Sequence, residues 1–241
     1  MISIGQWFSQ LDFSVLLELL LTVAAALLCI MLHECAHGIV AYWLGDPTAK
    51  QAGRLTLNPI KHIDIVGLIM LAVAKVGWAK AVPVNPNNFK RPKLGMAITA
   101  LAGPLCNVLL AFVAMIIGAT VDLCDQINGG QWLHYVSYFF MYVCTLSCGL
   151  AVFNLIPIPP LDGSKVLAMV LPNRAYRVWM RYEHFGMILL IALVFLLPRL
   201  LPGASPLSSA IGGLWKGLWM IAKYPVKGIM TLLYPDVPIL Y

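Results

Sequence analysis

Residues 15–37 read VLLELLLTVAAALLCIMLHECAH, an apolar run typical of a membrane-spanning helix that ends in the motif HECAH. Four residues correspond to a rotation of about 400° around an α-helix, so the side chains of His33 and His37 project about 40° apart on one face and can bind a single ion. Glu34 projects beside them, where its carboxylate can take a proton from water at a metal. Because Glu18 is the only charge in residues 15–31, the motif indicates zinc chemistry within or at the edge of a membrane.

The composition of the whole chain fits that setting. Of the 241 residues, 61% are hydrophobic and 11% are charged, values far from those of a soluble globular domain. The chain is therefore predicted to be an α-helical, multi-pass protein of the cell membrane. The net charge of +6 could suggest a nucleic-acid partner. We expect none, because Lys and Arg cluster beside apolar segments and no aromatic-basic pattern of nucleic-acid binding occurs.

Several segments are long and apolar enough to span a bilayer, namely, roughly, 13–44, 94–121, 134–157 and 184–201. The stretch 63–77 is too short and contains Asp64 and Lys75, so we interpret it as a re-entrant or interfacial piece buried against protein. The flanking segments 52–57 and 80–84 alternate moderately and contain Val, Leu and Thr, which favours short strands. The predicted fold is therefore a helical core with a small re-entrant β element.

The distribution of Lys and Arg predicts the orientation in the membrane. Residues 45–93 and 162–182 carry most of the basic side chains, so both segments should be cytoplasmic. The loop 122–133 holds two aspartates and no basic residue, and should lie outside. Parity then brings positions 33, 37 and 162 to the same, cytoplasmic face of the membrane.

A second chemical signal is the segment NLIPIPPLDG at residues 154–163. Its three prolines remove backbone donors and end the third span, so Asp162 falls on an extended turn. A catalytic zinc ion typically has three protein ligands and an open position, and Asp162 can be the third ligand. A helix N-cap is an equally good interpretation of this segment alone. The shared membrane face of His33, His37 and Asp162 favours the ligand.

Taken together, these motifs resemble the site-2 protease family of intramembrane zinc metalloproteases. The motifs that carry the resemblance are HECAH at 33–37, GPLCN at 103–107 and NLIPIPPLDG at 154–163. RLTLNP at 54–59 and GWAKAVPVN at 77–85 also resemble segments of compact bacterial members. The resemblance covers roughly residues 14–172, and no PDZ or CBS domain fits the chain.

The resemblance implies a three-helix core with additional spans and one Zn²⁺ ion per chain, held by His33, His37 and Asp162. It also implies that Glu34 is the general base and that the substrate is a transmembrane helix of another protein, cut near the cytosolic face. Two other functions stay open. A zinc-dependent membrane scaffold or chaperone would not require Glu34, and a metal transporter would need ionisable residues along a path through several spans. The oligomeric state is left open.

Two polar sites within the core have alternative interpretations. Asn107 lies in an apolar span, where an amide needs a partner. It either joins helices by hydrogen bonds or, as the resemblance favours, donates to the substrate carbonyl or developing oxyanion. His62 with Asp64 is the main rival site, either a partner of the zinc ligands or a polar interfacial turn. Cys35 points about 200° away from His33 and is expected to pack.

We divide the chain into a metalloprotease core at residues 1–172 and a C-terminal part at 173–241. The C-terminal part is predicted to hold a further span and an amphipathic or membrane-associated tail. Within the tail, four polar residues share one face of a helical wheel, namely Ser209, Lys216, Lys223 and Lys227. This pattern favours an interfacial amphipathic helix that is broken at Pro225 over a fifth full span.

Overall fold

The computed structural model describes residues 13–65, 67, 80–181, 185–186 and 206–236. The α-helices within these ranges are α1 (Phe13–Trp43), α2 (Thr48–Gln51), α3 (Pro92–Asn128), α4 (Gln131–Asn154), α5 (Asp162–Val170), α6 (Asn173–Arg181) and α7 (Pro206–Leu233). Short 3₁₀ helices occupy Pro59–Lys61 and Pro86–Asn88. The described part of the chain is therefore predominantly helical.

Helices α1, α3 and α4 are long and apolar enough to cross a membrane, which confirms three of the four predicted spans. The fourth, 184–201, lies outside the described residues apart from the helical pair 185–186. Most of the predicted re-entrant piece, 63–77, also lies outside them. The multi-pass helical architecture that composition predicted is thus present in the described core.

The ends of the spans follow from local sequence. Pro92 begins α3 at a position where its missing N–H costs nothing. Gly129 ends α3 with a φ of +65°, a left-handed conformation that glycine adopts without steric penalty. Since α4 begins only two residues later, α3 and α4 form an antiparallel pair. Their connection therefore lies at the opposite end of the pair from Pro92.

The centre of the bundle is built from small side chains and thiols. Such side chains allow helix axes to approach closely in a membrane, where lipid tails offer no hydrophobic driving force. Ser147 on α4 donates a hydrogen bond to the sulfur of Cys29 on α1, with an Oγ–Sγ distance of 3.2 Å. The buried cluster comprises Ala25, Cys29, Ala111, Ala114, Met115, Val143, Cys144, Cys148, Leu218 and Ala222.

Helix α7 packs against α3 and α4 and is continuous through Pro225, so the predicted break there is wrong. Leu218, Ala222, Val226 and Met230 are buried at four-residue spacing, which places them along one face of the helix. Proline removes one backbone donor, but packing along this apolar stripe offsets that loss. The tail is therefore an additional helix of the bundle.

The predicted strands at 52–57 and 80–84 are wrong for these residues, which form turns, bends and irregular backbone. Gly53 turns the chain with a φ of +62°. The backbone groups that a strand partner would use are occupied by side chains instead. The Arg54 guanidinium donates to the carbonyl oxygens of Lys80 and Ala81, and the Val82 N–H donates to the Glu34 carboxylate. These side-chain contacts, together with one backbone hydrogen bond from the Lys80 N–H to the His62 carbonyl oxygen, therefore hold residues 80–82.

Candidate metal centre

Three buried side chains converge where α1 meets the start of α5. The Nε2 atoms of His33 and His37 are 3.0 Å apart. The Asp162 Oδ2 atom lies 3.2 Å from His33 Nε2 and 3.1 Å from His37 Nε2. Among the described residues, no other set of three His, Cys, Asp or Glu side chains brings its potential ligand atoms this close together. The sequence-predicted trio is therefore assembled in the fold.

The backbone around the trio is close-packed at two glycines. A Cβ atom built at Gly103 on α3 would lie 2.5 Å from His33 Cε1 and 2.5 Å from His37 Nε2. A Cβ atom built at Gly163 would overlap the carbonyl oxygen of Leu155. Such contacts are too short for real side chains, so these positions require glycine. Because residue 103 is glycine, the backbone of α3 can pack directly against the two imidazoles. Because residue 163 is glycine, α5 can begin directly next to the end of α4.

His37 is held in the tautomer that metal binding requires. Its Nδ1 atom lies 2.7 Å from the carbonyl oxygen of Thr99. Because a carbonyl oxygen can only accept, Nδ1 carries the proton and the lone pair of the neutral ring is on Nε2. A ligating histidine almost always donates its other ring N–H in this way.

His33 has a comparable partner in Asn107. The Asn107 Nδ2 atom is 3.1 Å from His33 Nδ1, while the Asn107 Oδ1 atom is buried without a hydrogen-bond partner. Exchanging the amide oxygen and nitrogen, which have nearly the same shape, places Oδ1 where it accepts from an Nδ1–H group. That orientation also frees His33 Nε2 for a metal. This exchanged orientation is the one that ligation of a metal by His33 Nε2 requires.

Asp162 presents one oxygen to the histidines and the other to a cation. Its Oδ2 atom faces the imidazoles, and its Oδ1 atom lies 3.4 Å from Lys165 Nζ. Burial raises the pKa of the Asp162 carboxyl, and the positive charge of Lys165 beside it lowers that pKa. The side chain is therefore an anionic donor at neutral pH, as a metal ligand must be.

These donors fit zinc. Two neutral imidazoles and one carboxylate make the three-ligand set of many catalytic zinc sites, which leaves a position open for chemistry. Each ligand also has one outer partner, namely the Thr99 carbonyl, Asn107 or Lys165. Outer contacts of this kind fix the orientation of metal ligands.

Glu34 lies next to the trio without belonging to it. Its Oε2 atom accepts a hydrogen bond of 2.8 Å from the Val82 backbone N–H, and the side chain is half-buried. Since Glu34 follows His33 directly on α1, its carboxylate is carried on the same rigid element as two of the three potential ligands. The sequence motif predicted this adjacency but gave no sign of the contact with Val82.

The remaining candidates from the sequence have the following positions and contacts. The Asp162 N-cap interpretation is wrong, because Asp162 is the first residue of α5 and Leu161 occupies the cap position. His62 Nε2 contacts the Thr56 carbonyl oxygen at 2.9 Å, and the Asp64 carboxylate accepts from the Gly67 N–H at 2.9 Å. Cys35 donates to the same Thr56 carbonyl and points away from the trio.

Three residues outside the motifs contact the site, namely Thr99, Lys165 and Val82. Thr99 and Val82 act through their backbone, which leaves no signature in residue identity. Lys165 could have been found, because it lies three residues after Asp162, and residues at that spacing share a face once the segment is helical. The candidate site therefore includes contacts that lie outside the motifs.

Comparison with known proteins agrees with a zinc site of this kind. Residues 117–198, which include Asp162, match Peptidase family M50. A Bacillus subtilis (strain 168) protein named "Putative zinc metalloprotease YwhC" is 38% identical over 162 residues, which are 67% of this chain and 74% of that protein. "Putative zinc metalloprotease MJ0611" of Methanocaldococcus jannaschii is 33% identical over 66% of this chain and 75% of its own. No solved structure matches the chain.

Proposed function

Since this chain belongs to peptidase family M50, the zinc metalloproteases of the site-2 type, we propose that it cleaves transmembrane segments of other membrane proteins near the cytosolic face. The observation that carries the proposal is the convergence of His33, His37 and Asp162 beside Glu34 at the end of an apolar helix. A hydrolytic site in that position would meet peptide bonds that soluble proteases do not reach.

We assign the metal to the three converging atoms, His33 Nε2, His37 Nε2 and Asp162 Oδ2, with one Zn²⁺ per chain. When bound, zinc supplies a Lewis acid that polarises a peptide carbonyl and lowers the pKa of water towards about 7. The surrounding residues hold these donors in place. Thr99 and Asn107 fix the imidazole tautomers, and Lys165 turns one carboxylate oxygen away from the histidines.

Glu34 is the proposed general base and acid. Its carboxylate accepts a proton from the attacking water and later delivers that proton to the leaving amine. Its hydrogen bond from the Val82 N–H occupies one oxygen and leaves the other available for this transfer. Asn107 is fully buried against His33, a place that favours positioning of the ligand over direct contact with substrate. Its donation to an oxyanion stays a prediction.

The depth of the site in the membrane supports cutting near one face. His33 lies about 30 Å along the α1 axis from Phe13, at a rise of about 1.5 Å per residue. The hydrocarbon core of a bilayer is also about 30 Å thick. The imidazoles would therefore lie near the membrane boundary towards which α1 runs. The basic residues of segments 45–93 and 162–182 favour the cytoplasm for that side.

Purified protein and a peptide that contains a transmembrane segment test the proposal. We expect wild-type protein to cut within the apolar segment, chelation to stop cleavage and added zinc to restore it. Glu34→Gln should keep zinc and lose cleavage at least about 10²-fold, because the amide keeps the shape of the side chain but accepts no proton. His37→Ala should lose both zinc and cleavage. His134→Ala, in α4 and away from the trio, is the matched control.

The outcomes separate the competing functions. Full cleavage by Glu34→Gln would remove the general-base assignment. Zinc bound at one ion per chain without cleavage of any transmembrane peptide would favour a scaffold or chaperone. Zinc movement into vesicles that contain the protein would indicate a transporter.

A further inference from the structure

The Val82 N–H that contacts Glu34 belongs to residues 80–85, a segment of irregular backbone. Val82 is 8% exposed. Its side chain lies over α1 at Gly38, where an added Cβ would meet Val82 Cγ1 at 3.2 Å. The segment thus approaches α1 closely at the turn that carries Glu34. Its own backbone forms no strand or helix that would hold it there.

The beginning of the segment is held by Arg54. The guanidinium donates to the Lys80 carbonyl oxygen and, at 3.3 Å, to the Ala81 carbonyl oxygen. Arg54 is buried, so these charge-assisted hydrogen bonds are shielded from water. The Lys80 N–H in turn donates to the His62 carbonyl oxygen at 2.9 Å. Both backbone polar groups of Lys80 are therefore fixed two residues before Val82.

The end of the segment is held by Asp46, which is 0% exposed. Its Oδ2 atom accepts from the Asn85 N–H at 2.7 Å, and its Oδ1 atom accepts from Asn88 Nδ2 at 2.7 Å. The Thr48 N–H and hydroxyl complete the set of donors. Burial raises the pKa of the Asp46 carboxyl, but these hydrogen bonds outweigh burial and hold the pKa below its ordinary value. The group is an anion at neutral pH.

We propose that Asp46 and Arg54 are positioning residues of the protease, which fix residues 80–85 so that the Val82 N–H orients the Glu34 carboxylate. The two side chains clamp the segment on either side of Val82. Without them, the segment would keep only the hydrogen bond from Lys80 to His62 and the packing of the Val82 side chain, and Glu34 would sample other rotamers. The inference rests on the proposed role of Glu34 as general base.

Misplacement of a catalytic group by about 1 Å can lower a rate up to about 10²-fold. We therefore expect Asp46→Asn and Arg54→Gln each to lower kcat at least about tenfold, with KM within about twofold of wild type and zinc content unchanged. Asp122→Asn is the matched control. It removes a hydrogen-bonded carboxylate, which pairs with Gln126 at 2.8 Å, at the other end of α3.

A second measurement does not depend on activity. Hydrogen exchange followed by mass spectrometry reports the protection of peptides that cover residues 80–85. In the two clamp variants, Asp46→Asn and Arg54→Gln, these amides should exchange at least about tenfold faster. In Asp122→Asn their exchange should be unchanged. A general loss of stability would accelerate exchange across α1 and α3 as well, which separates local release of the segment from unfolding.

If Asp46→Asn does not fold, Asn88→Ala carries the test, because it removes only one donor to the same carboxylate and should give a smaller effect in the same direction. Faster exchange at 80–85 with wild-type kcat would overturn the inference. Unchanged exchange in both clamp variants would also overturn it. Absence of cleavage by wild-type protein, with faster exchange in the variants, would refute the proposed protease function and leave the clamp as a structural device.

Discussion

At the scale of single residues, the metal centre uses every polar atom of its three potential ligands. The inner atoms of His33, His37 and Asp162 face one another, and each outer atom has a partner of a different chemical kind. His37 donates to a backbone carbonyl, His33 meets an amide and Asp162 meets an ammonium. Only the amide and the ammonium can be removed by substitution, so they are the contacts that mutation can test.

Asn107→Leu tests the amide, because leucine has a similar size but cannot hydrogen-bond. If Asn107 positions His33, the substitution leaves Nδ1 without a partner, and zinc affinity should fall about 10–100-fold. Zinc titration against a competing chelator measures this. Asn107→Asp keeps an acceptor oxygen and should retain more affinity. Unchanged zinc affinity in Asn107→Leu, with a lower kcat, would instead support donation to the substrate.

Single residues also show which parts of the candidate site could be predicted from the sequence. HECAH specifies its helix face by spacing alone, and the parity of three apolar spans places Asp162 at the same end, so the trio could be predicted. The tautomer of His37 could not, because it depends on the Thr99 carbonyl, a group that every residue carries. The contact between Asn107 and His33 Nδ1 could not be predicted either, because it depends on how α3 packs against α1.

At the scale of elements, α3 contributes to the site mainly by what it lacks. It presents Gly103 to both imidazoles, so that the helix backbone approaches where any side chain would displace the rings. The hydrogen bonds of Thr99 and Asn107 come from the same helix, one turn on either side of Gly103. The packing surface of α3 around Gly103 therefore sets the position of α1 and of the two histidines.

Gly103→Ala tests whether this close packing of α3 against the two histidines is required. The new Cβ would lie 2.5 Å from ring atoms of both histidines, so α1 and α3 must separate or the rings must turn. We expect zinc content to fall well below one ion per chain, with cleavage lost in proportion. Gly149→Ala in α4 is the control, since its nearest neighbour lies 4.0 Å away at Ile211. Normal zinc content in Gly103→Ala would show that the contact relaxes without affecting the ligands.

Elements also explain which predictions from sequence were wrong. Alternation at 80–84 indicated a strand, yet buried charged side chains, Arg54 and Asp46, hold the flanking backbone instead. Both residues are distant in sequence, so local pattern gave no sign of them. Pro225 indicated a break in α7, but the stripe from Leu218 to Met230 packs against the bundle and keeps the helix continuous. Tertiary contacts decided both cases.

At the scale of the whole molecule, the candidate metal centre lies at one end of the bundle and the α3–α4 connection at the other. Helix α3 is about 55 Å long at about 1.5 Å per residue, longer than the hydrocarbon core of a bilayer. Its first half contacts the metal centre, and its last residue, Asn128, contacts Tyr234 just after α7. The two ends of the bundle should therefore face opposite sides of the membrane.

The orientation is testable with single cysteines at positions 50, 90, 174 and 126, all exposed in the structure, in a chain whose six native cysteines are replaced. The basic segments predict that positions 50, 90 and 174 face the cytoplasm and that position 126 faces outside. An impermeant thiol reagent on intact cells should label only position 126, and all four should react after permeabilisation. Cleavage activity of the cysteine-free chain shows that the fold is intact. Labelling of position 90 from outside would reverse the orientation, and cutting would then occur near the outer face with the metal centre unchanged.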